Sequence, residues 1–600
     1  MTTTLHGVVC KVLNPAWMTG PIFGKELRVS SRRRRNYVLR FVYIALLTIF
    51  LTVIWLDEVQ HGSSVYQISR MAKIGQSIIV FIAWLQFSIT PLAAVIMLST
   101  SISDEIYNRT LGLLMTTPVT SFQIVMGKLL SKLLQLILLL AISLPLLAVV
   151  RVFGGVPWSY VVSSLCITLT TIIFVGSVSL FFSIFTRRPY KVIITTLLLI
   201  SILFGLLPLL SVMLWHTMNL DSIISERTLL FVISALNPYF TMVFNTVIMM
   251  NPRAAGSVPF NIWPLHCGIM LAVSALILFV SMIRVRKVAL RQATGSTGTT
   301  RFTRRSGQNT HETSAHRRDV VAAIRRITGP PVLWKELRFP LLGRRKIATC
   351  LFIGLSLILL IATYYLCGRE NLLDDDEIHV SYATVALGLG VLSTLVLSAT
   401  PITSEKESRS WPLLMATTLD DRAILFGKWA GIIRRCLPAW GWLAAHVIIF
   451  SLAGFIHPVA IFQIGLLGVW TLVFLSGSGL YFGSRFKHTT TAVTMNFALA
   501  IALWAIVPIL VGIMAELFRD LDVRQLAEVY MDTNPFVHVI AVLVATVGGL
   551  DEYRWFCFHQ NHPLTTMQST FWILECTAGY VFLGCLFAWR AKCRFRRHIF

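Results

Sequence analysis

The chain has 600 residues, 56% of them hydrophobic and 13% charged, with a formal net charge of +25 and a mean hydropathy of +0.73. That much apolar surface cannot be hidden in a soluble core, which excludes a water-soluble globular enzyme and leaves an integral membrane protein. The 52 basic residues are spread over alternate loops and do not line one face, so their excess orients the chain in a membrane and speaks against nucleic acid as a partner.

Residues 1–20 lack a basic stretch followed by an apolar core and a small-residue cleavage site, so the first span is expected to serve as the insertion signal. Trp17, Ile22, Phe23 and Leu27 alternate with Lys25, Glu26 and Arg28. This segment is too short and too charged to cross a bilayer, but it can lie in the interface as an elbow helix. A bilayer core of about 30 Å takes roughly 20 helical residues. Six apolar runs of that kind follow, near residues 37–56, 76–100, 122–150, 160–185, 190–216 and 263–283. They are continuously apolar and not alternating, which predicts helices and not barrel strands.

Arg32 to Arg35 precede the first run, Arg187, Arg188 and Lys191 separate the fourth from the fifth, and Arg284, Arg286 and Lys287 follow the sixth. The positive-inside rule places these positions in the cytoplasm. Residues 284–326 are rich in Arg, Ser, Thr and Gly without apolar periodicity, and read as a basic cytoplasmic linker that also feels anionic lipid.

Beyond the linker the order repeats. TGPIFGKELR from Thr19 is echoed by TGPPVLWKELR from Thr328, so Trp334, Lys335 and Glu336 fall in a second elbow. Six further runs lie near 347–367, 381–400, 429–455, 460–482, 491–515 and 571–589, again with basic residues at Arg344 to Lys346, Arg485, Lys487 and Arg590 to Arg597. Asn237-Pro238 corresponds to Asn534-Pro535. The chain is therefore read as residues 1–283 and 327–600 joined by the 284–326 linker: twelve transmembrane helices in two parallel six-helix repeats, all-α, with both termini cytoplasmic. The outer loops after the fifth and eleventh spans are expected to be partly helical.

The closest internal match is a polar loop. DEIYNRTLGLLMTTPVTSFQIVMGK, from Asp104 to Lys128, aligns without a gap on SEKESRSWPLLMATTLDDRAILFGK, from Ser404 to Lys428, with nine of 25 positions identical. Ser103 and Thr403 are placed to cap a short helix, acids follow in its first turn, and Glu105–Arg109 and Glu405–Arg409 stand four apart as pairs. Leu113, Leu114 and Met115, like Leu413, Leu414 and Met415, then form an apolar knob flanked by charge. Such a knob outside the membrane suits protein docking.

In these features the chain resembles the ABC-2 permeases, the membrane subunits of ATP-binding-cassette exporters of the second type. The elbow, the E-x-x-x-R-[TS] loop running into L-L-M-x-T and then G-K, the basic break between the fourth and fifth spans, and the Asn-Pro after the fifth occur in that order twice. The resemblance implies two six-span units around one pathway in a cell membrane, with the loop helix seated in a groove of a separate ATPase present in two copies. It makes Glu105, Arg109, Leu113 and Leu114, with Glu405, Arg409, Leu413 and Leu414, coupling residues, the glutamates at the rim and the leucines in the groove. It makes Trp17, Lys25, Glu26, Trp334, Lys335 and Glu336 elbow residues. The chain departs from the usual pattern by fusing both units.

No G-x-x-x-x-G-K-[ST] phosphate cradle occurs, so the chain is expected to bind no cofactor itself and to leave ATP to the partner. The ten cysteines are scattered without C-x-x-C spacing, and Cys557, His559 and His562 lack a fourth ligand, so neither zinc nor disulfides are expected. Asp374 to Glu377 read as a solvated outer loop. Gln86, His216, His446, Asn496 and Glu575 are the polar residues within or beside spans, and helix-to-helix hydrogen bonding is their expected task. An ion-coupled twelve-span secondary transporter is an alternative reading, but no carboxylate lies mid-span to bind the ion. A membrane-embedded transferase or scaffold is another, and the outer segments near 217–262 and 516–562 hold no acid/base constellation for it.

Overall fold

The computed structural model describes residues 15–32, parts of 37–52, 67–107, 110–151, 156–186, 188–217, 225–251, 262–293, 329–338, 346–518, 529–547 and 566–596. In the first half these form α1 (Pro15–Ser31), α2 (Gln67–Ser99), α3 (Ser103–Tyr107), α4 (Leu111–Met115), α5 (Ser121–Arg151), α6 (Trp158–Phe185), α7 (Pro189–Ser201), α8 (Leu207–Thr217), α9 (Glu226–Leu236), α10 (Pro238–Met250) and α11 (Ile262–Ala293). The second half runs through α12 (Pro331–Arg338), α13 (Lys346–Arg369), α14 (Asp376–Glu407), α15 (Trp411–Met415), α16 (Asp421–Leu452), α17 (Val459–Arg485), α18 (Thr489–Ile501), α19 (Val507–Phe518), α20 (Pro535–Thr546) and α21 (Thr566–Arg594).

Ten helices among the described residues are long and apolar enough to cross a membrane, or eleven if the bent pair α9–α10 is one span. Of the twelve expected spans, the first lies largely outside the described residues. The seventh corresponds to the 24-residue α13, whose described side chains form an apolar helix over Ile353–Arg369. Most of the linker, and Cys557, His559 and His562, also lie outside the described residues.

Both elbows begin the same way. Gly20 (φ 59°) and Gly329 (φ 87°) occupy the left-handed region that side chains resist, and a proline follows each. The repeated T-G-P thus turns the chain into each elbow. Within each half the fourth span packs on the sixth and the second, α6 on α11 and α2, α17 on α21 and α14. Small residues permit this closeness: a Cβ on Gly584 would stand 2.8 Å from the Val473 carbonyl oxygen, and one on Gly176 would stand 2.6 Å from Leu98 Cδ1. Between the halves, α7 meets α14 and α18 meets α2, so the fifth span of each half lies against the second span of the other.

The fifth spans carry a matched irregularity. A five-residue π-helical segment interrupts each, Ile202–Leu206 and Ala502–Ile506. The wider turn leaves backbone carbonyls without their ordinary partners. Asn237 Nδ2 donates to the Phe204 carbonyl (2.7 Å) while its Oδ1 accepts the Tyr239 N–H (2.9 Å). Asn534 does the same with the Trp504 carbonyl (2.8 Å) and the Phe536 N–H (3.0 Å). The Asn-Pro landmark is therefore a latch: one amide starts the helix that follows it and pins it to the bulge of the fifth span. In the first half the chain turns by 113° at this point, between α9 and α10. The helices expected in the outer loops are these.

Four of the five polar span residues join helices, while Glu575 is exposed on α21. Asn496 Nδ2 donates to the Leu395 carbonyl (3.0 Å) and its Oδ1 accepts from Ser478 (2.7 Å), tying three spans; Gln86 reaches Tyr43 (2.8 Å). His216 at the end of α8 stands 3.2 Å from Glu370 at the end of α13, across the two halves. His446 belongs to a relay in the second half. The Leu373 carbonyl can only accept, so His379 Nε2 (2.9 Å away) carries hydrogen. In neutral rings His379 Nδ1 then accepts from His446 Nε2 (3.4 Å), and His446 Nδ1 accepts from the Tyr364 hydroxyl (2.7 Å).

Asn237→Ala and Asn534→Ala each delete two buried hydrogen bonds and orphan a carbonyl, and each is expected to lower stability by about 1–3 kcal/mol. The measurement is the thermal unfolding midpoint in detergent. An unchanged midpoint in both variants would remove the latch from the account.

Candidate functional site

The duplicated loop joins the second and third spans in each half. It begins with a helix end whose form the spacing Glu-x-x-x-Arg describes. Ser410 N–H bonds the Glu405 carbonyl (3.0 Å) and Arg409 N–H the Lys406 carbonyl (3.2 Å), with Arg409 at φ 55°. This is a Schellman closure, in which the residue four after the first bonded carbonyl takes the left-handed conformation. Thr110 N–H bonds the Glu105 carbonyl at 3.0 Å, matching the Ser410–Glu405 bond. Glu405 and Arg409 are thus related by the backbone, and the expected ion pair between them does not form: Arg409 is exposed and Glu405 faces two lysines. Arg109 lies outside the described residues. Ser103 and Thr403 do not cap either. Their hydroxyls donate backwards to the Ser99 (2.7 Å) and Ala399 (2.9 Å) carbonyls, because the second span continues past them.

A single helical turn follows, α4 or α15. Its first residue is buried, Leu111 at 0% exposure and Trp411 at 3%, and its third projects, Leu113 at 68% and Leu413 at 73%. Leu114 and Leu414 are half-buried. Of the four leucines expected to form the knob, two therefore protrude and two anchor. Leu111 sits with Val285 and Ala289 of α11. Trp411 meets Phe595 edge-on (centroids 4.8 Å apart), and the adjoining Arg596 Nε bonds Asp421 (2.9 Å), so the end of the sixth span backs the loop in each half.

The two glutamates expected at a charged rim turn inward instead. Glu105 Oε1 is 3.1 Å from Lys128 Nζ, which also stands 3.9 Å from Glu26 of the first elbow; Lys132 lies 3.5 Å from the same Glu26. In the second half Lys428 Nζ is 2.5 Å from Glu405 and 2.8 Å from Glu336 of the second elbow. Arg435 pairs with Glu336, and Lys335 lies 3.3 Å from Glu405. Lys128 and Lys428 are buried. Thus the repeated K-E-L-R, Glu-x-x-x-Arg and Gly-Lys motifs meet in one charge cluster per half, and each elbow packs against the third span. Glycines allow the approach: a Cβ on Gly427 would come within 2.9 Å of the Leu333 amide nitrogen, and one on Gly431 within 2.9 Å of Glu336 Cβ.

Burial would raise the Glu336 pKa, but the charges of Lys428 and Arg435 outweigh it and hold the carboxyl below its ordinary value of 4.5. The elbows are accordingly not simple lipid-facing helices, since their glutamates are drawn under the bundle. Trp334 is half-buried with the Arg338 guanidinium over its ring (4.5 Å), and Lys335 and Lys25 are exposed. Trp17 lies in α1, with its side chain outside the described residues.

Sequence reasoning recorded Lys128 and Lys428 only as landmarks. The available signal was their fixed distance, 23 residues after Glu105 and Glu405 alike. It also missed Lys406 and Glu407. Lys406 Nζ donates to the Gly483 carbonyl (3.0 Å) at the end of α17, and Glu407 accepts the Thr489 N–H (2.6 Å) at the start of α18. Each charge complements a helix dipole.

Removing the amine of Lys428 would leave Glu336 to Arg435 and Glu405 to Lys335 in a largely buried site, each short of its central counter-charge. Lys428→Met is expected to cost about 3–5 kcal/mol. Lys128→Met is expected to cost less, since Glu105 and Glu26 retain 23% and 27% side-chain exposure against 13% and 7% for Glu405 and Glu336. Thermal midpoints of the two variants decide the order.

Because the native pKa of Glu336 is depressed, its contribution is complete above the unfolded value and is lost as pH falls through the native one. The stability gap between wild type and Glu336→Gln should therefore be constant above about pH 5.5 and close on further acidification. Unfolding curves across pH test this, and a gap that widens on acidification would contradict it.

The sequence profile of the family described as ABC-2 family transporter protein matches residues 21–372, from the first elbow through α13. Comparison with curated proteins finds no match.

Proposed function

Since the chain belongs to the ABC-2 transporter family, and is thereby a multi-pass membrane permease of an ATP-binding-cassette transporter, we propose that it exports its substrate by coupling both loops to a separate ATPase. The ATPase acts in two copies, one per loop, and supplies all ATP chemistry; this chain holds no cofactor. The loops and both termini face the cytoplasm of a cell membrane, and the two halves act as two fused permease units around one pathway. The family match covers the first half and the second half through α13, and the internal repeat carries the reading to the rest.

One observation carries the proposal: the same triplet, Leu-Leu-Met, is offered twice on a one-turn helix, with Leu113 and Leu413 projecting by nearly equal amounts. An apolar side chain held out on a rigid turn suits insertion into a groove, where it would act as a buried anchor. The charge clusters beneath supply the rigidity. A push on either knob passes to the second span through the Schellman turn, and to the elbow and third span through Lys128 or Lys428. Arg409 adds to this. A non-glycine residue held at φ 55° costs about 1 kcal/mol, and its exposed guanidinium stands beside the knob where a partner would meet it.

Leu113→Ala with Leu413→Ala is expected to weaken ATPase retention about 30-fold, corresponding to about 2 kcal/mol for loss of apolar anchors. Transport should fall with it while the unfolding midpoint stays put, because both side chains are exposed. Co-purification of the ATPase and transport in reconstituted vesicles give the readouts. Normal retention and transport after replacing Leu113, Leu114, Leu413 and Leu414 together would defeat the proposal.

A further inference from the structure

The first elbow has two faces, and only one is accounted for by the loop cluster. Glu26 turns toward Lys128 and Lys132. On another side, Pro21, Lys25, Arg28, Val29 and Arg32 line an open groove of about 390 Å³. Positions 21, 25, 28 and 32 recur at helical spacing, so the three cations share one stripe. Among the described residues no carboxylate lines the groove and none of the three cations makes an ion pair; Lys25 feels Glu105 only at longer range. All three are exposed.

The second elbow provides an internal comparison. There Lys335 is committed to Glu405 at 3.3 Å, Arg338 lies over the Trp334 ring, and the position matching Arg32 is Leu342. The basic stripe is therefore not a property that every elbow needs for orientation. It is an addition to one copy.

We propose that this groove binds the phosphate head group of an anionic phospholipid. The elbow packs along α5, the third span, near Lys128 and Lys132, which sets it at the level where head groups lie. A volume of about 390 Å³ falls within the ordinary range for ligand sites, about 300–1,000 Å³. Arg28 and Arg32 can each offer two N–H donors to phosphate oxygens, and Lys25 a third charge. Pro21 and Val29, the latter 44% exposed, give the glycerol and upper acyl carbons an apolar wall that a free anion or a nucleic acid would not use. The site is separate from the knobs, so its occupancy does not depend on an ATPase.

The test is native mass spectrometry of the full chain released from nanodiscs of mixed phosphatidylglycerol and phosphatidylcholine. Wild type should retain phosphatidylglycerol in preference to phosphatidylcholine. Arg28→Ala with Arg32→Ala should weaken that retention about 30-fold, taking about 1 kcal/mol for each cation near the surface. Arg286→Ala with Lys287→Ala, the same charge change at the exposed end of α11, should leave it within about threefold. Arg28→Lys with Arg32→Lys keeps the charge and should keep the lipid, which covers the case in which the alanine variant fails to fold. Equal loss in both alanine variants, equal retention of the two lipids by wild type, loss in the lysine variant, or displacement of the bound lipid by inorganic phosphate would each overturn the assignment.

Discussion

A lysine ammonium with almost no access to water sits at the loop end of each third span, and the rest of that end is arranged to make this tolerable. Lys428, with a side-chain exposure of 2%, needs counter-charges within contact distance. Glu405 brings one from the end of the second span and Glu336 brings another from the elbow. Three segments far apart in sequence are thereby held at one point by a requirement that none of them meets alone. An interaction of this kind adds little net stability compared with a well-packed apolar core, but it is unforgiving of partial assembly. That property suits a junction through which displacement is to be passed on.

The two clusters agree at their centre and differ at their edges. The second cation is Lys132 in one half and Arg435 in the other, four and seven residues beyond the central lysine, so the elbow glutamates are gripped at different heights along the third span. Lys406 and Glu407, which fasten the second loop to the ends of α17 and α18, have Ile106 and Tyr107 in their place in the first half. The outward leucines show no such divergence. The projecting side chain was kept while the packing beneath it varied.

Much of this was legible in the sequence, for definable reasons. Apolar runs of bilayer length report spans directly, and a repeat of 25 aligned positions reports a loop with a shared task. What periodicity cannot report is which partner a charge takes. Glu405 and Arg409, four apart, satisfy the rule for a helical pair, yet the helix ends between them, and a left-handed residue points its side chain away. Burial is equally hidden: Lys428 reads as a span flank until the elbow is laid over it. The Asn-Pro landmark was visible as a position, but its meaning depends on a π-helical segment about 30 residues earlier that leaves no compositional mark. Leu113 and Leu114 are neighbours of one type, and only the direction of a single turn separates the exposed one from its anchor.

The backing of the loops also bears on how the protein is made. Leu111 is covered by Val285 and Ala289, whereas Trp411 is covered by Phe595, and Asp421 is bonded by Arg596, 175 residues downstream. Each loop thus takes its floor from the sixth span of its own half. During synthesis the first knob can be seated before the second half exists, while the second stays unsupported until residue 595 has been added. A nascent chain interrupted between Met415 and Phe595 would carry one backed turn and one with a bare tryptophan, a difference that membrane quality control can read as incompleteness.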